Sequence, residues 1–343
     1  MHAAKPAKVL ETMGYIITPL IMAATAVSMG QGCLIACLTD KAWLHGDIKE
    51  LSQQDESDPA TGDETIKSFS PNFNLLQPRT KQDHEKSELG SPCFVHYRAG
   101  DRELVFLGTR HGIRLHSPSH RLIENVIKGF QPDCVIIEGS ETRMGKSHPG
   151  LLKDARRMVA DGACPEPLFA AVLAADRQIE FVGGEPPASD TARALRKLGS
   201  DRDALGWLVV RELGQVRREK GLDQLDARIQ GMFPWMKRKF DLKTDMELDD
   251  FKKWFFERTN HPFSAENLRF ARTAPLAGPS ATFFEKAAIE VILARERHLL
   301  SLEAKLLSRN HRVLVVYGGG HLIYEKPVLD DMLGKPLQHV PDW

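Results

Sequence analysis

The sequence predicts an α/β fold: a mixed, largely parallel sheet flanked by helices, with a helical insertion before the last long helix and strand. Three observations carry this. Four short apolar runs, Leu104 to Leu107, Val135 to Ile137, Ile179 to Val182 and Val313 to Tyr317, are rich in β-branched and aromatic residues and have the length of buried strands. Segments with apolar residues at helical spacing separate them, and strand–helix–strand units of this kind make their strands parallel. Each run also ends in glycine beside a proton-handling side chain: Gly108 with His111, Gly139 with Glu138, Gly183-Gly184 with Glu185, and Gly318 to Gly320 with His321. Glycine lets a chain turn sharply at a strand end, and the C-terminal edge of such sheets is where sites form.

Taken in order, the chain opens with Lys5 and Lys8 ahead of a charge-free span from Thr12 to Thr39, interrupted by Pro19. A basic start followed by an apolar stretch is the pattern of an export signal. The span is also long enough to cross a bilayer, which takes about 20 apolar residues. Leu34-Ile35-Ala36-Cys37 resembles the bacterial lipobox, in which cleavage precedes a cysteine that is then lipidated, so Cys37 is the candidate lipidation site. Three readings stand: a lipoprotein signal peptide, an uncleaved membrane anchor, and a buried helix. The first two make residues 1–40 a contact with the membrane and put the rest of the chain outside the cytoplasm. Residues 41–90 are polar, Asp55 to Thr65 reads as a linker, and the folded domain is expected over 91–343.

Phe94 to Tyr97, a turn at Ala99 to Arg102 and Glu103 to Leu107 predict a hairpin. Ser117 then caps a helix with Pro118 at its first position, and Leu122, Ile123, Val126, Ile127 and Phe130 form its apolar face. Helices follow over about 150–161 and 166–177, flanking the strand at Val135 and preceding the one at Ile179. From 187 to 280 only helical patterns are convincing, at 189–198, 201–220, 222–239 and 248–258, with Asp201 and Ser264 as caps. Trp207, Phe233, Trp235, Trp254, Phe255 and Phe256 read as packing within this insertion, which can cover the sheet edge. A long helix over 281–310 places Arg295 and Glu296 in the middle of its apolar face. Charges there are costly unless they are paired or used.

Lys+Arg and Asp+Glu number 46 each, so the protein has no overall field to hold nucleic acid. Met236 to Phe240, the densest basic run, reads as a solvated helix face. Cys134 is expected buried, and a Cys93–Cys164 pair is open. No G-x-S-x-G, HExxH or P-loop occurs.

Gly108 to His111 (GTRH), Val135 to Arg143 (VIIEGSETR), Arg295 to His298 (RERH) and Val313 to Leu322 (VLVVYGGGHL) together resemble the TraB/PrgY–GumN–Tiki superfamily, which is related more distantly to erythromycin esterase-like and ChaN-like proteins. The resemblance covers about 95–335 and is loose across the insertion. It implies a sheet with helices on both faces, formed from two pseudo-related halves. The activity it implies is a membrane-tethered hydrolase, a peptidase or esterase, with a peptide or small ester as substrate. Carried onto this chain, the metal-binding set is His111, Glu138, Glu185 and His321, with Glu138, Arg143, Arg295 and Glu296 as catalytic groups. The chemistry permits two forms. Imidazole and carboxylate ligands suit a divalent metal, Zn, Mn or Co, whose bound water attacks. Alternatively, a histidine held by a glutamate deprotonates water and an arginine stabilises the oxyanion. A ChaN-like iron- or haem-binding lipoprotein without catalysis is the alternative, with Tyr317 and Tyr324 as axial candidates.

Overall fold

The computed structural model describes residues 69–83, 92–141, 149–219 and 225–340. The N-terminal span with Cys37, and Arg143, lie outside the described residues. Among those described, no helix is long and apolar enough to cross a membrane.

The fold is α/β. A six-stranded sheet has the order β4-β3-β5-β2-β1-β6, built from β1 (Cys93–Ala99), β2 (Arg102–Thr109), β3 (Cys134–Glu141), β4 (Glu180–Glu185), β5 (Arg312–Gly318) and β6 (Gln338–Val340). The predicted hairpin is β1–β2, antiparallel with Phe94 opposite Leu107. β2, β5, β3 and β4 are mutually parallel, so their C-terminal ends share one edge. The short β6 pairs antiparallel with the outer side of β1 and left no apolar run by which to predict it.

Strand alternation divides the core into two layers. Leu104, Phe106, Ile136, Val313 and Val315 face α8 (Phe283–Leu307) and α9 (Gly319–Leu333). Val105, Leu107, Val135, Leu314 and Val316 face α1 (Pro118–Phe130), α2 (Pro149–Ala160) and α3 (Glu166–Asp176). Both faces are covered, which is why these strands read as continuous apolar runs. Ser117 caps α1 as predicted, its side chain accepting from the His120 N–H.

The insertion comprises α4 (Ala188–Arg196), α5 (Asp201–Glu219), α6 (Leu225–Lys239) and α7 (Leu248–Thr259). It has its own core, in which Trp207, Phe233, Trp254 and Phe255 are buried, while Phe256 is exposed. The N-terminal half of α8 completes this core through Phe284, Ala287, Ala288 and Val291. Its C-terminal half, from Leu293 to Leu307, belongs to the sheet layer. Arg295 and Glu296 stand at the junction. Of the predicted caps, Ser264 accepts from Asn267 N–H at the start of a 3-10 turn. Asp201 is the first helical residue instead. Ser200 precedes it and exchanges hydrogen bonds with Asp203, and Asp201 is drawn to Arg196.

The fold extends upstream of the predicted start. Within 69–83, part of the expected linker, Leu76 is buried and Phe69, Phe73 and Leu75 pack on the sheet layer. Arg79 donates to the Gly320 carbonyl at 3.0 Å and pairs by a β-bridge with Leu276. Apolar residues too few to make an element alone are thus enough to dock a strap on an existing surface. Cys93, Cys134 and Cys164 are buried free thiols, so Cys93 and Cys164 are not bridged.

One glycine shows how tightly the sheet meets α9. A Cβ at Gly108 would collide with the Cys93 sulfur and lie 2.7 Å from the Gly319 Cα. The second neighbour is backbone and cannot yield. Gly108→Ala is expected to cost about 1–3 kcal/mol in a urea unfolding curve, and Cys93→Ala in the same chain should recover only part of it. Full recovery would mean that α9 shifts freely against β2.

Candidate functional site

Four strand ends build one cluster. Glu138 lies near the end of β3, and Glu185 is the last residue of β4. His111 follows β2, and His321 is in the first turn of α9, immediately after β5. Gly139, at positive φ, sits where the register between β3 and β4 shifts, and its N–H donates to Glu185 Oε1 at 3.3 Å. All four residues predicted from the repeated strand–glycine pattern therefore share the C-terminal edge of the sheet.

Glu138 is the centre. It is buried, at 3% exposure. Its Oε2 accepts the Gly318 N–H at 2.8 Å, at the start of α9, where the helix's positive end favours an anion. The same oxygen is 3.9 Å from His111 Nε2. Oε1 accepts from Arg295 Nη2 at 3.2 Å and lies 3.3 Å from His321 Nε2. Arg295 also grips Glu185 with two donors, Nε to Oε2 at 2.8 Å and Nη2 to Oε1 at 2.5 Å. On the other side of His321, Nδ1 meets Glu296 Oε1 at 2.6 Å. Adjacent positions on α8 thus point in two directions, Arg295 to the carboxylates and Glu296 to the histidine. This is how both charges are tolerated on an apolar helix face.

The electrostatics follow from this packing. Burial alone would raise Glu138, but His111, His321 and Arg295 reverse it and hold the carboxyl well below its ordinary range. Burial alone would lower His321, yet Glu296 and Glu138 prevail and push it up to about 9. Arg295 is likewise raised, burial being overcome by Glu185 and Glu138. The carboxyl groups on both sides of His321 thus favour its imidazolium form. Glu138 is an ionised carboxylate between two histidines.

His111 differs from the rest. Its side chain is 26% exposed, so it is the accessible member of the cluster. Its backbone is left-handed, φ 54°, a strained conformation for a residue with a Cβ. Glu166 holds the loop in place, accepting from the Gly112 N–H at 2.8 Å. A Cβ at Gly318 would strike the His111 ring, so glycine there keeps the ring's place beside Glu138.

The predicted four-ligand metal set is not assembled as a set. Both oxygens of Glu185 are taken by Arg295, and Glu138 Oε1 is shared between Arg295 and His321. A divalent ion on that oxygen would stand beside a buried guanidinium, a costly juxtaposition. Among the described residues, no group of three or more His, Cys, Asp or Glu has the spacing of a metal site. The residues as placed suit proton transfer better than metal ligation. The two tyrosines considered as haem ligands are core residues, Tyr317 at 1% and Tyr324 at 3% exposure. The Tyr317 ring packs edge-on to His321.

Four contributors escaped the sequence reading. Arg211, from α5 in the insertion, is lowered to about 10 by burial and by the charge of Arg295, which places a further cation beside the cluster. Glu166 steadies the His111 loop. Glu303 and Glu325 lie behind Glu296. The signals were present for the last two: Glu303 is seven residues after Glu296, and Glu325 four after His321, each a spacing that repeats a helix face.

Removing Arg295 would leave two carboxylates without their buried cation. Arg295→Met is expected to cost about 3–5 kcal/mol at neutral pH in urea unfolding, and the additional Glu185→Gln change should recover part of that. The cluster also bounds stability in pH. Glu138, depressed in the fold, stabilises above its ordinary value of 4.5, and that contribution is lost on acidification. His321, raised in the fold, stabilises fully below 6.5, and its contribution fades as pH climbs through about 9. In thermal melts across this range, His321→Gln should flatten the alkaline fall and soften, without abolishing, the acid fall, which His111 and Arg295 also sustain.

No protein-family model matches the chain, and comparison with curated proteins and with solved structures found no match. The chemistry of the site therefore rests on its own geometry.

Proposed function

We propose that the protein is a hydrolase of peptides or small esters whose catalytic centre is the His111–Glu138–His321–Arg295 cluster, working by general acid–base chemistry. The observation that carries this is Glu138: a carboxylate buried at a strand end, kept ionised, with an imidazole beside each oxygen. Packing alone does not call for such a group. Hydrolysis needs a base for water, a sink for negative charge and an acid for the leaving group.

His111, the exposed imidazole, takes a proton from the attacking water. Glu138 stabilises the imidazolium that results, as the acid of a catalytic triad does for its histidine. The present separation of 3.9 Å is too long for a hydrogen bond, and such contacts tighten when substrate is bound. Negative charge developing on the substrate falls in the field of two buried cations, His321 and Arg295. Arg295 acts chiefly by holding Glu138 and Glu185 in register. The proton on His111 then passes to the leaving group. On this reading the insertion, through Arg211, shapes the substrate side, and the N-terminal span would tether the domain at a membrane.

A panel of peptides and small esters tests the proposal. On a substrate the wild type turns over, His111→Ala is expected to lose about 100-fold or more in kcat/KM, with an unchanged unfolding midpoint. Activity of the wild type should fall as pH rises through about 9, where His321 discharges. Equal rates for wild type and the His111→Ala/His321→Ala double variant would falsify the mechanism. Activity abolished by a chelator and restored by Zn, Mn or Co would replace the histidine base with a metal-bound water.

A further inference from the structure

Behind the catalytic cluster, three glutamates are wholly enclosed. Glu296 and Glu303 on α8 and Glu325 on α9 are each 0% exposed. They sit within the layer that holds Leu299, Leu302, Leu322 and Val328 between helices and sheet. Glu296 spends one oxygen on His321. Its Oε2 and all four carboxyl oxygens of Glu303 and Glu325 have no hydrogen-bond donor within reach. What faces Glu325 is Glu303 and Glu296, that is, other carboxyls.

Two ionised carboxylates in apolar surroundings with no cation are prohibitively costly. Arg79 on the docked strap attracts Glu296, but its two Nη groups donate to the Gly320 and Asp83 carbonyls, and the charges that act most on Glu303 and Glu325 are carboxyls. Tyr97 on β1 gives its hydroxyl to Asp330 at 2.8 Å, and Asp330 in turn engages Lys326 at 2.7 Å, towards the surface end of α9. His321 is engaged by Glu296 and Glu138. A proton on one carboxyl resolves the conflict, because a carboxylic acid is a donor and the neighbouring carboxyl its acceptor.

We propose that Glu303 and Glu325 share a proton at neutral pH, forming an acid–carboxylate clamp between α8 and α9 that positions Glu296 against His321. They are positioning residues and touch no substrate. The placement of His321 as a catalytic group rests on the hydrolase reading; the shared proton does not. Burial, with the neighbouring carboxyl charge, raises Glu303 and Glu325 well above their ordinary 4.5. Groups raised in the folded state stabilise fully below their unfolded value and lose that contribution as pH rises. The clamp is therefore an alkaline-sensitive joint directly behind the site.

The full chain, selectively labelled with carbon-13 at the glutamate side-chain carboxyl, tests this by NMR. Near pH ~8, far above the ordinary carboxyl range, the wild type should keep at least one glutamate resonance at the position of the protonated acid. Glu303→Gln/Glu325→Gln, whose amides replace acid and carboxylate without charge, should lack it. In melts from pH ~5 to ~9, the fall in Tm should be shallower in Glu303→Gln than in the wild type. A wild type with every glutamate resonance at the ionised position overturns the proposal, whether or not the variants fold. So does a protonated resonance that survives in the double variant, or a Tm profile unchanged in Glu303→Gln. None of these readouts uses a substrate, so a failed search for hydrolase activity leaves them standing.

Discussion

The structure turns on the grip of Arg295 on two carboxylates from two different strands. Glu138 ends β3 and Glu185 ends β4, and one guanidinium from α8 donates to both. Three groups that would each be intolerable alone in the interior become tolerable together, because each supplies the others' missing charge and hydrogen bonds. The consequence is positional. With Glu138 held from one side by Arg295 and from another by the Gly318 N–H, its oxygens are fixed between His111 and His321. Such a network is weak evidence for net stability, because desolvation offsets much of its attraction, whereas removing one member leaves uncompensated charge.

That constraint explains the shape of α8. The helix serves two cores in succession, aromatic packing of the insertion at its N-terminal half and the sheet layer at its C-terminal half. Arg295 and Glu296 sit where one gives way to the other. The insertion is therefore coupled to the site through the same helix that carries its charges. Arg211 on α5 feels Arg295 directly, a second link from insertion to centre.

Among the described residues, one line of buried polar groups runs through the apolar interior. It starts at the accessible His111, runs through Glu138 and His321 to Glu296, and ends among Glu325 and Glu303, behind which Tyr97 and Asp330 lead towards solvent. Each element along it contributes one or two groups, and the surrounding leucines and valines exclude water. Low local dielectric strengthens every interaction that is paired and penalises every one that is not, which is why Glu138 is held below its ordinary range while His321, Glu303 and Glu325 are raised above theirs.

Much of the architecture was legible in the chain. Apolar runs buried on both faces, ending in glycine with His or Glu, named the parallel strands, and helical periodicity named α1 to α8 within a few residues. These signals are local, and each element carries its own. The same local logic brought His111, Glu138, Glu185 and His321 to one edge and flagged Arg295 and Glu296 as charges on an apolar face. Partnership was not legible. That Arg295 donates to Glu138 and Glu185, that Glu296 turns to His321, and that residues 69–83 dock on the sheet layer all depend on distances between segments far apart in sequence. Spacing within a helix tells which residues share a face, but only the packing of α8 against β3, β4 and α9 decides what that face meets, because charge pairing and desolvation act across space and not along the chain.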